Sequence, residues 1–303
     1  MAQATDPRRH RFGGPWTEKK LEILRRYLEA YTKALKNQPF VKIYIDAFAG
    51  TGYREPRREV EGPSVGQREI QLDFPEMADD SAQGLRDGSA VYALRTEPAF
   101  DRYLFIERNR ERCVALDALR AEFPTRAGAI EVQQADANEA IRGLCAEPWR
   151  SRRAVMFLDP YGMQVEWQTI EAIAATKAID LWLLFPLGIG VNRLLTRSGE
   201  IPEDWRRRLD ALLGTPDWFE AFYRVESVPT LFGPDTSQVE KASVEVIGRY
   251  FVDRLRTIFP GVAAPRVLHN AANNPMYLLC FAAANEKGAK VALNIAEHLL
   301  RKV

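Results

Sequence analysis

Short apolar segments typical of buried strands alternate with helix-like segments through the middle of the chain. The strand-like segments are apolar at consecutive positions, as expected where helices cover both faces of a sheet. They occupy residues 41–46, 103–107, 130–135, 154–159 and 179–185. Strands that alternate with helices give right-handed crossovers and parallel pairing. The sequence therefore predicts an α/β fold with a mostly parallel, doubly wound sheet and helices on both faces.

Two regions at the start of the chain lie outside this alternation. Residues 1–15 are polar and contain glycine and proline, and they are predicted to be a mobile segment ahead of a single domain over 16–303. Residues 53–88 are rich in proline, glycine and charge, which predicts a loop insertion between the first strand and its helix. Ser89 is a suitable N-cap for that helix.

The C-terminal third of the chain predicts two further parts. From about residue 190 to 260 the sequence is amphipathic and predicts a helical subdomain, whose last helix covers 238–259. Residues 266–269 and 275–284 then predict an antiparallel strand pair, followed by a final helix.

Composition narrows the classes of protein that are compatible with this chain. The formal net charge of the 303 residues is +1, so any nucleic-acid contact has to come from local basic clusters. The three cysteines show no CxxC spacing and the three histidines lie far apart, which predicts neither a disulfide framework nor a metal site. No apolar run reaches the ~18 residues of a membrane span, and the N-terminus has no signal-peptide pattern. We therefore expect a soluble cytoplasmic protein without a membrane partner.

The stretch KIYIDAFAGTG at the end of the first strand has the character of a cofactor loop. It lacks the third glycine of the dinucleotide fingerprint and the Lys-Ser/Thr of a phosphate loop. It resembles motif I of S-adenosylmethionine (SAM)-dependent methyltransferases, in which an acid precedes F-x-G-x-G. The resemblance implies that Asp46 helps to anchor the methionyl ammonium of SAM. It also implies that the loop passes close to the cofactor, with clearance from its glycines, at Phe48, Ala49, Gly50 and Gly52.

Two more acids follow the next two predicted strands. Glu107 ends the second strand, where the resemblance implies that its carboxylate accepts both ribose hydroxyls of SAM. Asp136, with Ala137, follows the third strand, where an acid would meet the adenine amino group. Either acid can instead cap a helix. Because the carboxyl ends of parallel strands line one crevice, the acids together favour SAM as the cofactor.

Asp159-Pro160-Tyr161-Gly162 follows the fourth strand at the position of motif IV of amino-methyltransferases. The resemblance implies a catalytic role for Asp159, Pro160 and Tyr161. The Asp159 carboxylate and a backbone carbonyl would accept hydrogen bonds from a target amine, and the ring would pack on the target base. The motif lacks the usual second proline, and it matches the DP[FY]G of tRNA guanine-N2 dimethyltransferases equally well. The alternative is a tight turn without a catalytic role.

Longer phrases of the sequence resemble the three-Cys-motif partner family. They cover residues 14–35, 44–52, 157–167 and 179–195. The resemblance implies a Rossmann-like, class I methyltransferase-type fold and a separate partner protein that bears three cysteines. This resemblance bears on the fold more than on the reaction. From the likeness to motifs I and IV we expect N-methylation of an exocyclic amine, on a nucleobase, a nucleic acid or a related substrate. Two alternatives remain open: a non-catalytic SAM-binding or partner protein, and another nucleotide-using enzyme on a similar sheet.

Overall fold

The computed structural model describes residues 15–51, 53–54, 86–228 and 236–302. Residues 1–14 of the predicted mobile segment and most of the loop insertion lie outside these ranges, whereas Pro15, the last residue of that segment, is the first residue of a helix. In chain order the first elements are α1 (Pro15–Ala34), β1 (Val41–Asp46), β2 (Tyr53–Arg54), β3 (Arg86–Asp87), α2 (Ser89–Leu94), β4 (Arg102–Glu107), α3 (Arg110–Glu122), a 3₁₀ segment (Pro124–Ala129), β5 (Ile130–Gln134), α4 (Ala137–Cys145), β6 (Arg152–Leu158), α5 (Trp167–Ala175) and β7 (Ile179–Phe185).

The remaining elements follow β7. They are a π-helical turn (Leu187–Val191), α6 (Asn192–Leu194), α7 (Glu203–Leu213), α8 (Trp218–Phe222), β8 (Tyr223–Val228), β9 (Thr236–Lys241), α9 (Val244–Ile258), β10 (Gly261–Val262), β11 (Arg266–His269), β12 (Pro275–Ala283) and α10 (Ala289–Lys302).

The central sheet of the described residues has eight strands. Along the sheet the order is β10-β12-β7-β6-β1-β4-β5, and β11 also pairs with β12. The strands from β5 to β7 are parallel, whereas β12 runs antiparallel to β7, β10 and β11. The chain moves outward from β1 through β4 to β5, and then returns to build β6 and β7 on the other side, as in doubly wound nucleotide-binding sheets. The predicted α/β fold class, with a mostly parallel sheet, helices on both faces and a C-terminal antiparallel strand pair, is confirmed.

Helices cover both faces of this sheet, which explains the consecutive apolar residues of its strands. Tyr44 of β1 belongs to a core cluster that includes buried residues of α1, α2, α3 and α10, while its neighbours Ile43 and Ile45 belong to a second cluster with buried residues of α4, α5, α7 and α9. All seven residues of β7 are buried. A strand between two helical layers has no solvent face, so the alternation of apolar and polar residues is lost.

The region after β7 corrects the prediction of a purely helical subdomain. It contains α6 to α9 as expected, but β8 and β9 form an antiparallel hairpin between α8 and α9. The helix predicted over 238–259 begins only at Val244, where the Ser243 hydroxyl accepts the Val246 N–H at 3.5 Å. Residues 238–241 alternate polar and apolar side chains except at their last position, and this period of two suits a strand.

The loop insertion leaves and returns through neighbouring backbone positions. Tyr53 pairs with Asp87 and Arg54 with Arg86 in the short β2–β3 ladder. The prediction that Ser89 caps the following helix is wrong, since Gly88 is the N-cap of α2 and Ser89 is its first residue. The Ser89 hydroxyl instead donates a hydrogen bond to the buried carboxylate of Asp46.

Candidate functional site

The carboxyl ends of β1, β4 and β6 lie side by side at one edge of the sheet. Asp46 is in register with Phe105 of β4 and Phe157 of β6. Glu107 therefore ends its strand two residues beyond this level, and Asp159 follows β6 at the same distance. The predicted acids of the first, second and fourth strands are thus brought to one edge.

Glu107 joins the ends of β1 and β4. Its side chain is almost completely buried, and its two carboxylate oxygens accept the backbone N–H of Gly50 at 3.1 Å and of Asn109 at 2.8 Å. The guanidinium of Arg112 lies 3.8 Å from the oxygen that Gly50 contacts. Since a carboxylate oxygen accepts up to two hydrogen bonds, each oxygen keeps capacity for a ligand hydroxyl.

Gly50 has the backbone geometry that the predicted cofactor loop requires. Its φ is +63°, in the left-handed region, and among the described residues no atom lies within 4 Å of a Cβ added to it. The Glu107 carboxylate lies beside it. A backbone amide, a glycine without a side chain and a fixed carboxylate therefore line the place where the ribose of a nucleoside cofactor would fit.

Asp46 is completely buried beneath this loop. Its carboxylate accepts hydrogen bonds from the Ser89 hydroxyl at 2.5 Å, the Tyr44 hydroxyl at 3.3 Å and the Phe48 N–H at 3.4 Å. Burial raises the pKa of Asp46 to about 7, together with the negative charge of Asp159, and the hydrogen bonds oppose the shift. The Asp46 carboxylate therefore links the loop after β1 to α2 through the Ser89 hydroxyl.

The other predicted cofactor residues that the structure describes lie along the same edge. Phe48 packs against the core on the α4–α5 side, and the Ala49 N–H donates to the Ile106 carbonyl at 3.3 Å. Gly52 lies outside the described residues. Asp136 is exposed and caps α4 by accepting the N–H groups of Asn138 at 2.9 Å and Glu139 at 3.2 Å, and Ala137 behind it is buried. The capping role considered for Asp136 is therefore present, while Glu107 is not the N-cap of α3, which is Asn109.

The Asp-Pro-Tyr-Gly segment makes a tight turn after β6. Pro160 is buried, Gly162 has a φ of +72°, and the Tyr161 N–H donates to the Gln164 side-chain oxygen at 3.1 Å. The Tyr161 ring is 65% exposed, with the guanidinium of Arg112 5.8 Å from its centroid. The turn thus presents an aromatic ring to solvent at the carboxyl edge, beside the arginine that also contacts Glu107.

Lys20 is the site residue that sequence reasoning missed. It comes from α1, its side chain is 7% exposed, and its ammonium forms an ion pair with the Asp159 carboxylate, which is 27% exposed. The ammonium also lies 4.9 Å from the ring centroid of Trp16, which in turn is 4.9 Å from the ring centroid of Tyr277. Burial, together with the negative charge of Asp159, raises the pKa of Tyr277. The sequence did contain a signal for the burial of Lys20, because this residue lies four positions before Leu24 and therefore on the apolar face of α1.

The described part of the chain shows no group of three or more His, Cys, Asp or Glu that could hold a metal ion. Nor does any described helix combine the length and the apolar character that a membrane crossing requires.

Comparison with known proteins yields only distant structural likenesses. No protein-family model and no curated protein matches the chain. The protein LPL1258 of Legionella pneumophila is similar over 81% of this chain and 93% of its own, with 16% identity and a TM-score of 0.41. Spermidine synthase of Thermotoga maritima matches 95% of this chain and 75% of its own at 9% identity, with a TM-score of 0.40. A putative SAM-dependent methyltransferase of Listeria monocytogenes matches 87% of this chain and 98% of its own at 11% identity, with a TM-score of 0.31. Likenesses this distant transfer no function, so the assignment below rests on the residues of this chain.

Proposed function

We propose that this protein is a SAM-dependent methyltransferase that methylates an exocyclic amine on a nucleobase or a related substrate. The observation that carries the proposal is the contact between the Glu107 carboxylate and the N–H of Gly50. This hydrogen bond connects Glu107, at the end of β4, to Gly50, the glycine with a positive φ that follows β1. A nucleoside cofactor without a phosphate needs this combination, since its ribose requires acceptors and its approach requires a missing side chain.

The residues of the first three strand ends would bind and orient SAM. Glu107 would accept the ribose hydroxyls, and Gly50 would let the backbone approach. Asp46 would keep the loop in place from below, and Asp136 would face the adenine from the next strand end. When bound, SAM would supply an electrophilic methyl group.

The residues of the fourth strand end would hold the target. Tyr161 offers an exposed ring on which a base can pack. The Asp159 carboxylate engages Lys20 through Oδ2, which leaves Oδ1 to accept from the target amine. Such an acceptor orients the nitrogen lone pair and stabilises the charge that forms on the nitrogen.

Calorimetric titration with SAM and with its demethylated product, S-adenosylhomocysteine, tests the cofactor. Wild-type protein should bind both. Glu107→Gln should weaken binding by about 10- to 100-fold, as expected for the loss of a charged hydrogen-bond acceptor. The matched control is Glu131→Gln on the neighbouring strand β5, where the carboxylate is exposed and pairs with Arg102. Absence of binding to the wild-type protein would contradict the proposal.

A second candidate function is a SAM-binding protein that catalyses nothing and works with a three-cysteine-motif partner. The ion pair of Lys20 with Asp159 favours it, because the acid that would hold the target already has a partner. Transfer of a labelled methyl group to tRNA, DNA or cell extract separates the two functions. Transfer that is lost in Asp159→Ala supports catalysis, and SAM binding without transfer to any fraction supports the partner role.

A further inference from the structure

A buried lysine is unusual, and the partner of Lys20 is the acid of the proposed target subsite. Lys20 and Asp159 are 139 residues apart in sequence, so the contact exists only because α1 lies across the carboxyl edge of the sheet. The ring of Trp16 covers the ammonium from the same helix. A buried ammonium of this kind needs its charged partner, and the pair is screened from water on the lysine side.

The two carboxylates nearest the proposed target subsite each have a cation close by. The carboxylates of Glu107 and Asp159 are matched by the cations of Arg112 and Lys20. Asp46, behind them, is a weak acid whose pKa burial raises to about 7. A further cation that entered the target subsite would therefore find Glu107 beside Arg112 and Asp159 already paired with Lys20.

We propose that Lys20 makes the target subsite selective for neutral ring amines and excludes protonated aliphatic amines. This inference rests on the proposed function, since it concerns the acceptor of the same site. Lys20 would act as a specificity-determining residue that positions Asp159 and occupies the place that a substrate ammonium would otherwise take.

The two kinds of amine differ in charge and in shape. An aliphatic amine has a pKa of about 10, like a lysine side chain, and enters as an ammonium that must compete with Lys20 for Asp159. The exocyclic amine of a nucleobase is neutral and can donate a hydrogen bond to the remaining Asp159 oxygen without displacing Lys20. Its flat ring also suits the exposed Tyr161.

The test is calorimetric titration with putrescine, a doubly protonated diamine, with and without S-adenosylhomocysteine. Wild-type protein should bind putrescine weakly or not at all. Lys20→Met keeps the length of the side chain and removes its charge, so it should bind putrescine on the order of tenfold more tightly or better. Lys20→Arg keeps the charge and should behave like the wild type.

Two further variants make the result specific. Lys20→Gln removes the charge but keeps a hydrogen-bond donor for Asp159, and it should also gain putrescine binding if the methionine variant does not fold. Asp159→Asn combined with Lys20→Met should lose the gain, because the anion that attracts putrescine is gone.

The proposal is overturned if wild-type protein binds putrescine as tightly as the folded, uncharged Lys20 variants, or if those variants show no gain. Failure of the proposed function has a different signature: S-adenosylhomocysteine then does not bind, while the comparison of putrescine affinities can still be made without it.

Discussion

Gly50 and Gly162 adopt the same left-handed backbone conformation at two different strand ends. Their φ angles are +63° and +72°, and a Cβ at either position would contact no atom of the described residues within 4 Å. The two positions differ in their surroundings, because only Gly50 donates its N–H to Glu107. They are therefore a matched pair for separating backbone strain from ligand clearance.

Replacing each of these glycines by alanine should give equal stability losses and unequal binding losses. Both variants put a Cβ into a left-handed conformation, which costs roughly 1–2 kcal/mol of unfolding free energy. Gly50→Ala should in addition abolish or strongly weaken SAM binding, whereas Gly162→Ala should leave it unchanged. Urea unfolding and calorimetry measure the two quantities. Equal SAM affinities in the two variants would show that Gly50 is only a turn residue.

Individual residues also show where prediction from sequence succeeds. Acids that end predicted strands could be assigned to one edge, since parallel strands place their carboxyl ends together. Lys20 could not be assigned to this edge, because its partner depends on how α1 crosses the sheet. The completely buried state of Asp46 was equally out of reach, as it depends on Ser89 from another element.

At the scale of elements, the packing of α7 against α5 depends on one glycine. Gly214 ends α7 in the left-handed conformation, with a φ of +71°. A Cβ at this position would lie 2.1 Å from Cδ1 of Trp167, the buried first residue of α5. The indole is held on its other sides, since its N–H donates to Glu171 at 2.8 Å and the Arg254 guanidinium lies 4.4 Å from the ring.

Gly214→Ala should therefore destabilise the protein by about 2–5 kcal/mol, the sum of backbone strain and overpacking. Gly128→Ala is the control, since no atom lies within 4 Å of its added Cβ and its φ is not positive. Its unfolding free energy should stay within about 0.5 kcal/mol of wild type. Urea unfolding of both variants gives the comparison, and a Gly214→Ala midpoint equal to that of wild type would mean that Trp167 can move aside.

Elements were predictable where one periodicity dominates a long segment. The strands and helices of the sheet and its layers follow from apolar runs and helical spacing. The β8–β9 hairpin was missed because its strands, although as long as β1 and β4, lie inside an amphipathic region. The pairing of β9 with β8 is a tertiary contact that overrides a helical pattern extended from α9.

At the scale of the whole molecule, buried carboxylates lie at both ends of the parallel strands, one at the carboxyl ends and one at the amino ends. Asp46 ends β1, and Asp180 is the second residue of β7, at the opposite end. Burial raises the pKa of Asp180 to about 7, opposed by a hydrogen bond from the Tyr27 hydroxyl at 2.7 Å and by the positive charge of Arg153. Both acids are largely protonated in the folded protein at pH values at which an unfolded aspartate is ionised.

The unfolding free energy should consequently fall as pH rises from about 4 to about 7. In this window the folded state binds more protons than the unfolded state, which makes the slope negative, with up to about 1.4 kcal/mol per pH unit for each acid. Asp180→Asn should flatten the slope, because Asn cannot titrate and its side-chain oxygen still accepts from Tyr27.

Urea unfolding at pH 5, 6, 7 and 8 measures this slope. Asp253→Asn, in an exposed ion pair with Arg256 on α9, is the control and should retain the wild-type slope. A slope in Asp180→Asn as steep as that of wild type would contradict the assignment of this acid.

The sequence by itself determined the doubly wound sheet, the acids that end its strands and the edge of the sheet at which these acids meet. These features follow from local periodicity and from the rule that parallel strands end together, and both can be read along the chain. Only the tertiary structure decided that Lys20 pairs with Asp159, that Asp46 is fully enclosed and that a hairpin interrupts the helical region. The first two depend on contacts between segments far apart in sequence, and the burial and charge pairing of these residues exist only once the layers have packed. The hairpin depends on pairing between two neighbouring strands, which the local pattern of residues did not reveal.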